Sequence, residues 1–475
     1  MLKKLTFHII FRQKALSLPH KRPNFNNQIM KQSIWIILMT TILIATGCSK
    51  SEDSIFDVGS DHFVWDSDVR LQTVQIKCDG KWVAESNVWW CSPVRKSGTG
   101  DAELPIWVSP NLTRTERQGK ITVCSDGRTH IINVSQPIFT GSLDNYDYHL
   151  PVVFHILYKD STDEQQYVRQ GHMGKILEQV NMRYKQNGMN IVFEPARYND
   201  YGEELEEPGV VRHKVSFDDY DPSEFLNNKN TDNRQYAKYG QNLKKYINVY
   251  VFRFKQNNDG SNTMGVSDMP VMPTAHPLDS LHTTDDAGTY THLSVPWGCF
   301  INNEFIYEWQ EANSYNPYDI VNTIAHELGH YIGLLHTFSM NECEEDDACD
   351  DTPVCDYMNY VAYMSEYIKQ QTAQGVNTFK LSDLARRHDC KTLEDYVAHN
   401  IMDYLYSYND EFSAQQKRRT RQVLLYSPLV PGPKLVAYDT RASATRSLTP
   451  QPSLTHHILP CPSLPMNRHN ILRRK

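Results

Sequence analysis

The hydrophobic and polar positions along the chain divide it into a region with strand periodicity and a region that mixes strands with helices. Between residues 61 and 140, hydrophobic and polar residues alternate in short runs that Gly, Asp and Ser separate. Alternation with a period of two is typical of strands that bury one face. The clearest runs are residues 74–76, 106–108, 121–123 and 130–134. The pattern predicts a small all-β module.

A continuous hydrophobic run at residues 148–158 opens the second region and predicts a buried strand. Further strand patterns lie at residues 190–193 and 246–254. The hydrophobic residues that indicate a helix before them are Ile176, Leu177, Val180, Met182 and Tyr184. His155 stands in the middle of the first run, where we expect a hydrogen-bonded core histidine. The second region thus combines strands with at least one helix.

Residues 319–338 form the most informative stretch, because their pattern changes to helical spacing. The hydrophobic residues that recur every three or four positions are Ile320, Val321, Ile324, Ala325, Leu328, Tyr331 and Ile332. This spacing predicts a half-buried helix. We expect Asn316 to be its N-cap, Pro317 its first residue, and Asp319 a carboxylate at the positive end of the helix dipole.

The same helix presents a group of residues suited to metal chemistry. His326 and His330 are one turn apart on one face, where two imidazoles can bind the same ion. Glu327 can hold a water on that ion without being a ligand. Gly333 allows a positive φ, so the chain can leave the helix axis and return His336 as a third ligand. Three histidines leave a tetrahedral zinc with one position for water, which is the catalytic arrangement.

The extended pattern HExxHxxGxxH fixes five positions and matches by chance at about one start in three million. Two other interpretations are a pair of surface histidines on an ordinary helix and a protease fold that has lost activity. The presence of the glutamate together with all three histidines disfavours both.

The segment resembles the metzincin metallopeptidases, and a second motif extends the resemblance. Residues 400–404 (NIMDY) match the methionine turn of that family. The resemblance implies that Met402 is an apolar floor beneath the zinc and that the Tyr404 phenol binds zinc or donates to the oxyanion. An acidic, cysteine-bearing loop and the Asp-Thr-Pro at 351–353 are similar to the pappalysin branch.

This resemblance runs from about residue 148 to 421 and implies a fold for the second region. We expect an α+β, metzincin-like catalytic domain over residues 145–430, with a twisted mixed sheet and the active-site helix. Residues 293–295 are a candidate for the edge strand that aligns an extended substrate by backbone pairing. Glu411 replaces the cysteine that usually precedes the phenylalanine of the closing helix.

Ten cysteines are present, and the resemblance implies one disulfide among them, Cys343–Cys390. Cys299, Cys349 and Cys355 stay unassigned, and a second zinc site at Cys343, Cys349 and Cys355 is an alternative. The resemblance also implies a calcium site in the acidic loop, with Asp347, Asp350 and Thr352 as contributors. Oxygen ligands suit this hard cation, and a solvated acidic loop is the other interpretation.

The two ends of the chain have patterns unlike the folded regions. Residues 1–29 are basic and aperiodic, so we interpret them as a non-native N-terminal extension with Met30 as the true start. Residues 30–47 have a short hydrophobic run that indicates a signal peptide, and they resemble a bacterial lipoprotein signal with Cys48 lipidated. An ordinary signal peptide or signal anchor is the alternative. Residues 48–60 are interpreted as a linker, and residues 431–475 as a disordered tail.

The β-module at residues 61–140 resembles the BACON-type immunoglobulin-like family, for which glycan binding has been suggested. Four tryptophans are candidates for stacking on sugars, namely Trp82, Trp89, Trp90 and Trp107. We expect instead that these four side chains fill the core or the rim of the sandwich.

Composition and charge narrow the choice of partners. The 475 residues carry a net charge of −8, so there is no basic domain that could neutralise nucleic-acid phosphates.

The signal-like residues 30–47 and Cys48 predict an exported lipoprotein of the outer membrane, on its periplasmic or cell-surface face. We expect a zinc endopeptidase acting on proteins or peptides, with Glu327 as general base and acid. The alternative is a glycan- or protein-binding surface lipoprotein with an inactive or latent protease scaffold.

Overall fold

The computed structural model describes residues 55–66, 71–226, 234–258, 260–285, 296–310, 314–404 and 406–435, and the backbone of 458–463 and 470–472. At residues 226, 234 and 235 it likewise describes the backbone alone. The predicted N-terminal extension, the signal peptide and Cys48 lie outside this range. Among the helices that the structure describes, none has the length and hydrophobicity to cross a bilayer.

The first region is a sandwich of two antiparallel sheets, as the alternating pattern predicts. One sheet has the order β1-β3-β7-β5 and the other β2-β9-β8-β4-β6, where the single pair β2–β9 is parallel. The strands are β1 Phe56–Val58, β2 His62–Val64, β3 Leu71–Cys78, β4 Lys81–Ser86, β5 Cys91–Pro93, β6 Ser97–Thr99, β7 Ala102–Val108, β8 Arg117–Ser125 and β9 Arg128–Gln136. Because β1 pairs with β3 from Phe56 onward, the module begins inside the range 48–60 that the sequence suggests is a linker.

The second region is built on a mixed sheet with the order β11-β10-β13-β15-β14-β21, and β12 also pairs with β10. Its strands are β10 Tyr148–Tyr158, β11 Ile191–Pro195, β12 Val210–Lys214, β13 Ile247–Phe252, β14 Asn262–Asp268, β15 Cys299–Asn302 and β21 Ile458–Ser463. All pairs are parallel except those that β14 makes with its two neighbours. Both β10 and β13 are buried along nearly their whole length, which explains their continuous hydrophobic runs.

Helices pack against this sheet and close the domain. They are α1 Glu164–Tyr167, α2 His172–Gln186, α3 Pro222–Leu226, α4 Arg234–Ala237, α5 Ile320–Tyr331, α6 Tyr357–Ala373, α7 Leu381–Leu384 and α8 Ala414–Tyr426. The core between the sheet and α2, α5 and α8 includes Val180, Ile324 and Val423. The active-site helix of the sequence analysis, α5, is therefore a core helix, and its residues from Thr323 to Tyr331 are all buried.

A smaller region follows α5 and has its own core, which includes Phe338, Tyr360, Phe379 and Tyr406. Its short strands are β16 Phe338–Ser339, β17 Cys355–Asp356, β18 Thr378–Lys380, β19 Arg386–His388, β20 Asp395–Val397 and β22 Asn470–Leu472. A disulfide joins Cys343 to Cys390, which confirms that predicted pairing and leaves Cys343 unable to bind a second zinc. The strands β21 and β22 lie within residues 431–475, where the sequence predicts disorder.

Candidate metal centre

The start of α5 is fixed by a carboxylate one residue before the helix. Asp319 is the N-cap, and its side chain accepts a hydrogen bond from the backbone N–H of Asn322 at 2.9 Å. Asn316 instead accepts from the N–H of Tyr318 at 3.0 Å, so it stabilises the preceding turn. The expectation that Asn316 caps the helix is therefore wrong, because Asp319 reaches the unsatisfied N–H groups of the first turn.

The end of α5 returns the third histidine to the helix face. Gly333 has a φ of +98°, a conformation that a Cβ would strain, and a Cβ built there would lie 2.6 Å from Val423 Cγ2. The chain turns back at this glycine, so that His336 Nε2 lies 3.0 Å from His330 Nε2. The predicted role of Gly333 is therefore confirmed by its conformation.

Backbone carbonyls orient two of the three imidazoles. His326 Nδ1 donates to Ile401 O at 2.8 Å, and His330 Nδ1 donates to Leu334 O at 2.7 Å. A carbonyl only accepts, so the proton of each neutral ring lies on Nδ1 and the Nε2 lone pair is available. His326 Nε2 is buried and has no hydrogen-bond partner among the residues that the structure describes, which is costly for a polar atom unless a ligand binds it.

Burial keeps two of the three rings, His326 and His336, in the form that a metal requires. It lowers the pKa of His326 to about 4, and it lowers the pKa of His336 well below the usual value, with His330 and His326 adding to the effect. Both rings are thus neutral near pH 7. The ligand atoms of His326, His330 and His336 all lie within 4.8 Å of one another. Converging neutral imidazoles fit zinc, whose preferred ligands include histidine nitrogens.

Glu327 lies beside this trio and is completely buried. It faces strand β14 at Gly265, where a Cβ would lie 2.6 Å from Glu327 Cγ. A cavity opens next to the carboxylate, and its lining includes Met264, Thr323, His326, Glu327 and Tyr404. The acid is therefore placed where a substrate entering along β14 would meet it.

The methionine turn passes beneath the helix at a second glycine. A Cβ on Gly329 would lie 2.5 Å from Met402 Sδ, so only glycine permits this contact without displacement. Met402 is fully buried, and its N–H donates to the Asn400 side chain at 2.9 Å. Asp403 forms a buried ion pair with Arg387. Met402 thus lies under the helix, as its resemblance-based role requires.

Tyr404 completes the aromatic side of the site. Its ring centroid is 4.5 Å from that of His336 and 5.8 Å from that of His326. It also packs against Phe338, with 4.5 Å between the ring centroids. The structure therefore brings Tyr404 together with the three histidines and Glu327, although these residues are spread over about eighty positions of the chain.

The residues expected to bind calcium form a different arrangement. Thr352 Oγ1 donates to Asp347 Oδ1 at 2.6 Å, and the N–H of Cys349 donates to the same atom at 3.1 Å. Burial raises the pKa of Asp347 to about 6. Among the described His, Cys, Asp and Glu side chains, the groups of three that could jointly hold an ion are the histidine trio and the group of His399, Asp410 and Glu411. Asp347 and Asp350 belong to neither group.

The tryptophans of the sandwich are mostly used inside it. Trp82 and Trp90 are 1% and 5% exposed, and the Trp82 indole donates to Gly100 O at 3.1 Å. Trp89 and Trp107 are half-buried, and each lies 5.8 Å from a cation, Arg117 for Trp89 and Lys245 for Trp107. The interpretation that these residues build the core and rim is favoured over sugar stacking.

Sequence reasoning missed the strand that borders the site. The candidate edge strand at 293–295 lies outside the described residues, whereas β14 lies against Glu327. The only signal in the sequence was the glycine between Met264 and Val266, which suggests a close approach of another group. Gly329, which lies between the metal-binding histidines, is likewise explained only by its contact with Met402.

Comparisons with known proteins agree with this geometry. Residues 80–137 match the BACON family model, whose description is an N-terminal binding domain, and residues 299–425 match a peptidase family described as pregnancy-associated plasma protein-A. Extracellular metalloproteases of the fungi Arthroderma benhamiae and Trichophyton verrucosum are 31% identical to the chain over 130 residues. That match covers 26% of this chain and 36% of each relative, so the chain spans about a third of the relatives' length.

Solved structures give weaker similarities. A xyloglucanase of Bacteroides ovatus has a TM-score of 0.18 and 14% identity, with 43% of this chain and 56% of that chain covered. A protein of Bacteroides thetaiotaomicron has a TM-score of 0.16 and 11% identity, with 20% of this chain and 100% of that chain covered. At these scores the similarities support no statement about function.

Proposed function

We propose that the chain is a zinc-dependent endopeptidase of the pappalysin-like metzincins. The observation that carries the proposal is the convergence of the His326, His330 and His336 imidazoles beside the buried carboxylate of Glu327. The match of residues 299–425 to a peptidase family supports it. Because the curated relatives are covered over only a third of their length, the substrates are inferred from chemistry alone.

The residues of the site divide the chemistry among them. Zinc held by His326, His330 and His336 would lower the pKa of a bound water and polarise the scissile carbonyl. Glu327 takes the proton of the attacking water and later passes it to the leaving amine. The Tyr404 phenol, next to His336, donates a hydrogen bond to the carbonyl oxygen as that oxygen gains charge. The buried surroundings of Glu327 keep bulk water from competing for the same proton.

The test uses the protein from Ser49 onward and its Glu327→Ala variant. We expect the variant to bind one zinc per chain and to lose roughly a hundred- to ten-thousand-fold in turnover, because the proton carrier is gone and the ligands are intact. Peptide-library cleavage read by mass spectrometry measures activity, and elemental analysis measures zinc. Glu178→Ala, an exposed position on α2, is the matched control.

Retention of activity by Glu327→Ala would refute the assignment of the base. Absence of zinc from the wild-type protein would favour the second candidate, a binding lipoprotein that uses the sandwich, which the BACON match supports. For that candidate a glycan array is the direct measurement, and with Trp82 and Trp90 in the core we expect no binding through these two rings.

Calcium binding and membrane anchoring are further parts of the proposal. Burial raises the pKa of Asp347, and a bound calcium ion would stabilise the charged form of this carboxylate. Isothermal titration of metal-free protein with calcium tests this. Anchoring at the outer membrane through lipidated Cys48 rests on residues 30–48 of the sequence. Metabolic labelling with a fatty acid should mark the wild-type protein and spare Cys48→Ser.

A further inference from the structure

Strand β14 lies at the point where substrate and acid meet. Its Gly265 approaches Glu327 so closely that no side chain fits between them, and its Met264 lines the cavity beside Glu327. An extended peptide binds most simply by adding a strand to an exposed sheet edge, where backbone hydrogen bonds align it. The edge of β14 that faces away from β15 is therefore the edge that a substrate would use.

This edge is occupied by the chain's own C-terminal segment. Strand β21 pairs antiparallel with β14, from Asn262 opposite Ser463 to Asp268 opposite Ile458. The register shifts between Thr263 and Gly265, so Met264 is unpaired, and Cys461 lies opposite Gly265. The middle of the added strand is thus placed at the residue of β14 that contacts Glu327.

We propose that β21, held in place also through β22, is an internal ligand of the substrate-binding edge and keeps the enzyme latent until it is displaced. The inference rests on the proposed peptidase function, because that function makes the edge of β14 a substrate-binding edge. The occupancy of the edge itself rests on the pairing of β21 with β14. The class of ligand is an extended peptide, and the occupant is this segment of the same chain.

The sequence of β21 suits a ligand that binds without being cut. Pro460 and Pro462 have no backbone N–H. Because residues two apart in a strand have the same orientation, both missing donors lie on the same side of β21. Leu459, Cys461 and Ser463 keep the donors that can pair with β14. The bonds Leu459–Pro460 and Cys461–Pro462 are tertiary amides with a ring on the leaving nitrogen, unlike the secondary amides of an ordinary substrate.

A second contact holds the same segment beyond the site. Strand β22 pairs parallel with β18, from Thr378 opposite Asn470 to Lys380 opposite Leu472. Phe379 of β18 is buried in the core that includes Phe338 and Tyr406, and Tyr404 packs against that core. The C-terminal segment therefore binds the large sheet through one strand and the smaller region through the next, which raises its effective concentration at the edge.

The experiment releases the segment from the intact protein. A recognition site for a sequence-specific protease is inserted between residues 435 and 458 of the full chain, and the protein is assayed on a quenched extended peptide before and after cutting. We expect kcat/KM to rise at least tenfold after cutting and removal of the segment. A synthetic peptide of residues 458–472 should inhibit the released enzyme again when supplied at up to about 1 mM, because tethering corresponds to roughly millimolar concentration.

Point variants assign the effect to backbone pairing. Cys461→Pro removes the N–H opposite Gly265, and we expect it to activate the uncut enzyme. Cys461→Ser keeps that N–H, and we expect it to stay latent. Activation by both substitutions would assign latency to the side chain at 461 and overturn the pairing mechanism.

Binding is measured separately from catalysis so that the two proposals can fail independently. In the Glu327→Ala protein, cutting should remove the hydrogen-exchange protection of the β14 amides, and a fluorescent 458–472 peptide should bind by anisotropy while a scrambled peptide does not. Unchanged protection, no peptide binding, or a measurable activity that is equal before and after cutting would overturn the inference. Loss of protection and binding of the peptide, with no cleavage of any peptide by the wild-type form before or after cutting, would instead overturn the peptidase function and leave the occupied edge standing.

Discussion

At the scale of single residues, two glycines decide how closely the catalytic parts approach each other. Gly265 lets β14 lie against Glu327, and Gly329 lets the Met402 sulfur pack directly under α5. Glycine inside a helix usually costs about 1 kcal/mol relative to alanine, so its presence between the two histidines needs a packing reason. The contact with Met402 supplies that reason.

Gly329→Ala should therefore destabilise the protein, although the substitution normally favours a helix. A Cβ at 2.5 Å from Met402 Sδ forces a shift of the methionine turn, and overpacking of this kind costs about 1–3 kcal/mol. We expect a lower Tm and weaker zinc retention, measured by calorimetry and metal analysis. The control is Gly174→Ala in α2, where a Cβ meets nothing within 4 Å and a gain of roughly 0.5–1 kcal/mol is expected.

The prediction is wrong if both alanine variants are stabilised equally. That result would mean that Met402 relocates at no cost.

At the scale of elements, strands β10 and β13 are joined by a buried chain of polar side chains. His155 Nε2 donates to Asn248 Oδ1 at 2.9 Å, since the Asn248 amide nitrogen donates to Gln241 O. His155 Nδ1 therefore accepts from His213 Nε2, 3.1 Å away. The prediction that His155 is a hydrogen-bonded core residue is confirmed. The His155 and His213 rings are both neutral in this arrangement.

This pair should make the domain sensitive to acid. Burial lowers the pKa of His155 to about 4 and the pKa of His213 to about 3, while an unfolded histidine has a pKa of about 6.5. The unfolded chain therefore gains protons first as the pH falls. The free energy of unfolding has its full value above about pH 6.5 and decreases as the pH falls from there toward 4. The decrease that is due to His155 is roughly 3 kcal/mol.

His213→Gln should reduce this pH dependence, because glutamine keeps a donor for His155 and does not titrate. Denaturant unfolding of metal-free protein at pH 7.5, 6.0 and 5.0 gives the slope, and His62→Gln on the exposed face of β2 is the control. Equal slopes for wild type and His213→Gln would show that His213 is not protonated on unfolding in this range.

At the scale of the whole molecule, the sandwich and the peptidase domain have separate hydrophobic cores. The core of the sandwich contains Trp65, Trp82 and Trp90, and the core of the peptidase domain contains α2, α5 and the mixed sheet. The contacts between them include Lys245 beneath Trp107 and a close approach of Gly202 to the Val94 backbone. The metal centre lies between this second core and the core of the smaller region, which contacts His336 through Phe338 and Tyr404.

Removing zinc should therefore weaken one core and spare the other. A ligand present at a hundred times its Kd stabilises the folded state by about 2.7 kcal/mol, and a chelator removes that contribution. We expect calorimetry to show a lower transition temperature for the peptidase domain and an unchanged transition for the sandwich. In His326→Asn the chelator should have no further effect, and a shift of both transitions in wild type would contradict two independent cores.

Local patterns predicted much of this architecture. The run at 148–158 matches β10, and the helical spacing around residue 324 matches α5, because each pattern reports burial of the element's own side chains. The choice of Asn316 over Asp319 as N-cap was wrong, since both are good caps and only the path of the preceding turn separates them. The extent of the sandwich was also misplaced, because β1 is too short to show a period.

The sequence by itself determined the spacing of the proposed ligands and base, since they and the turn at Gly333 lie within eleven consecutive residues whose spacing follows from helix geometry. Only the tertiary structure decided what surrounds that centre, namely Met402 under Gly329, Gly265 against Glu327 and β21 on the edge of β14. These contacts join residues from about sixty to two hundred positions apart. Their pairing depends on backbone hydrogen bonds and close packing, which leave little trace in residue type, whereas a helix repeats its geometry every turn.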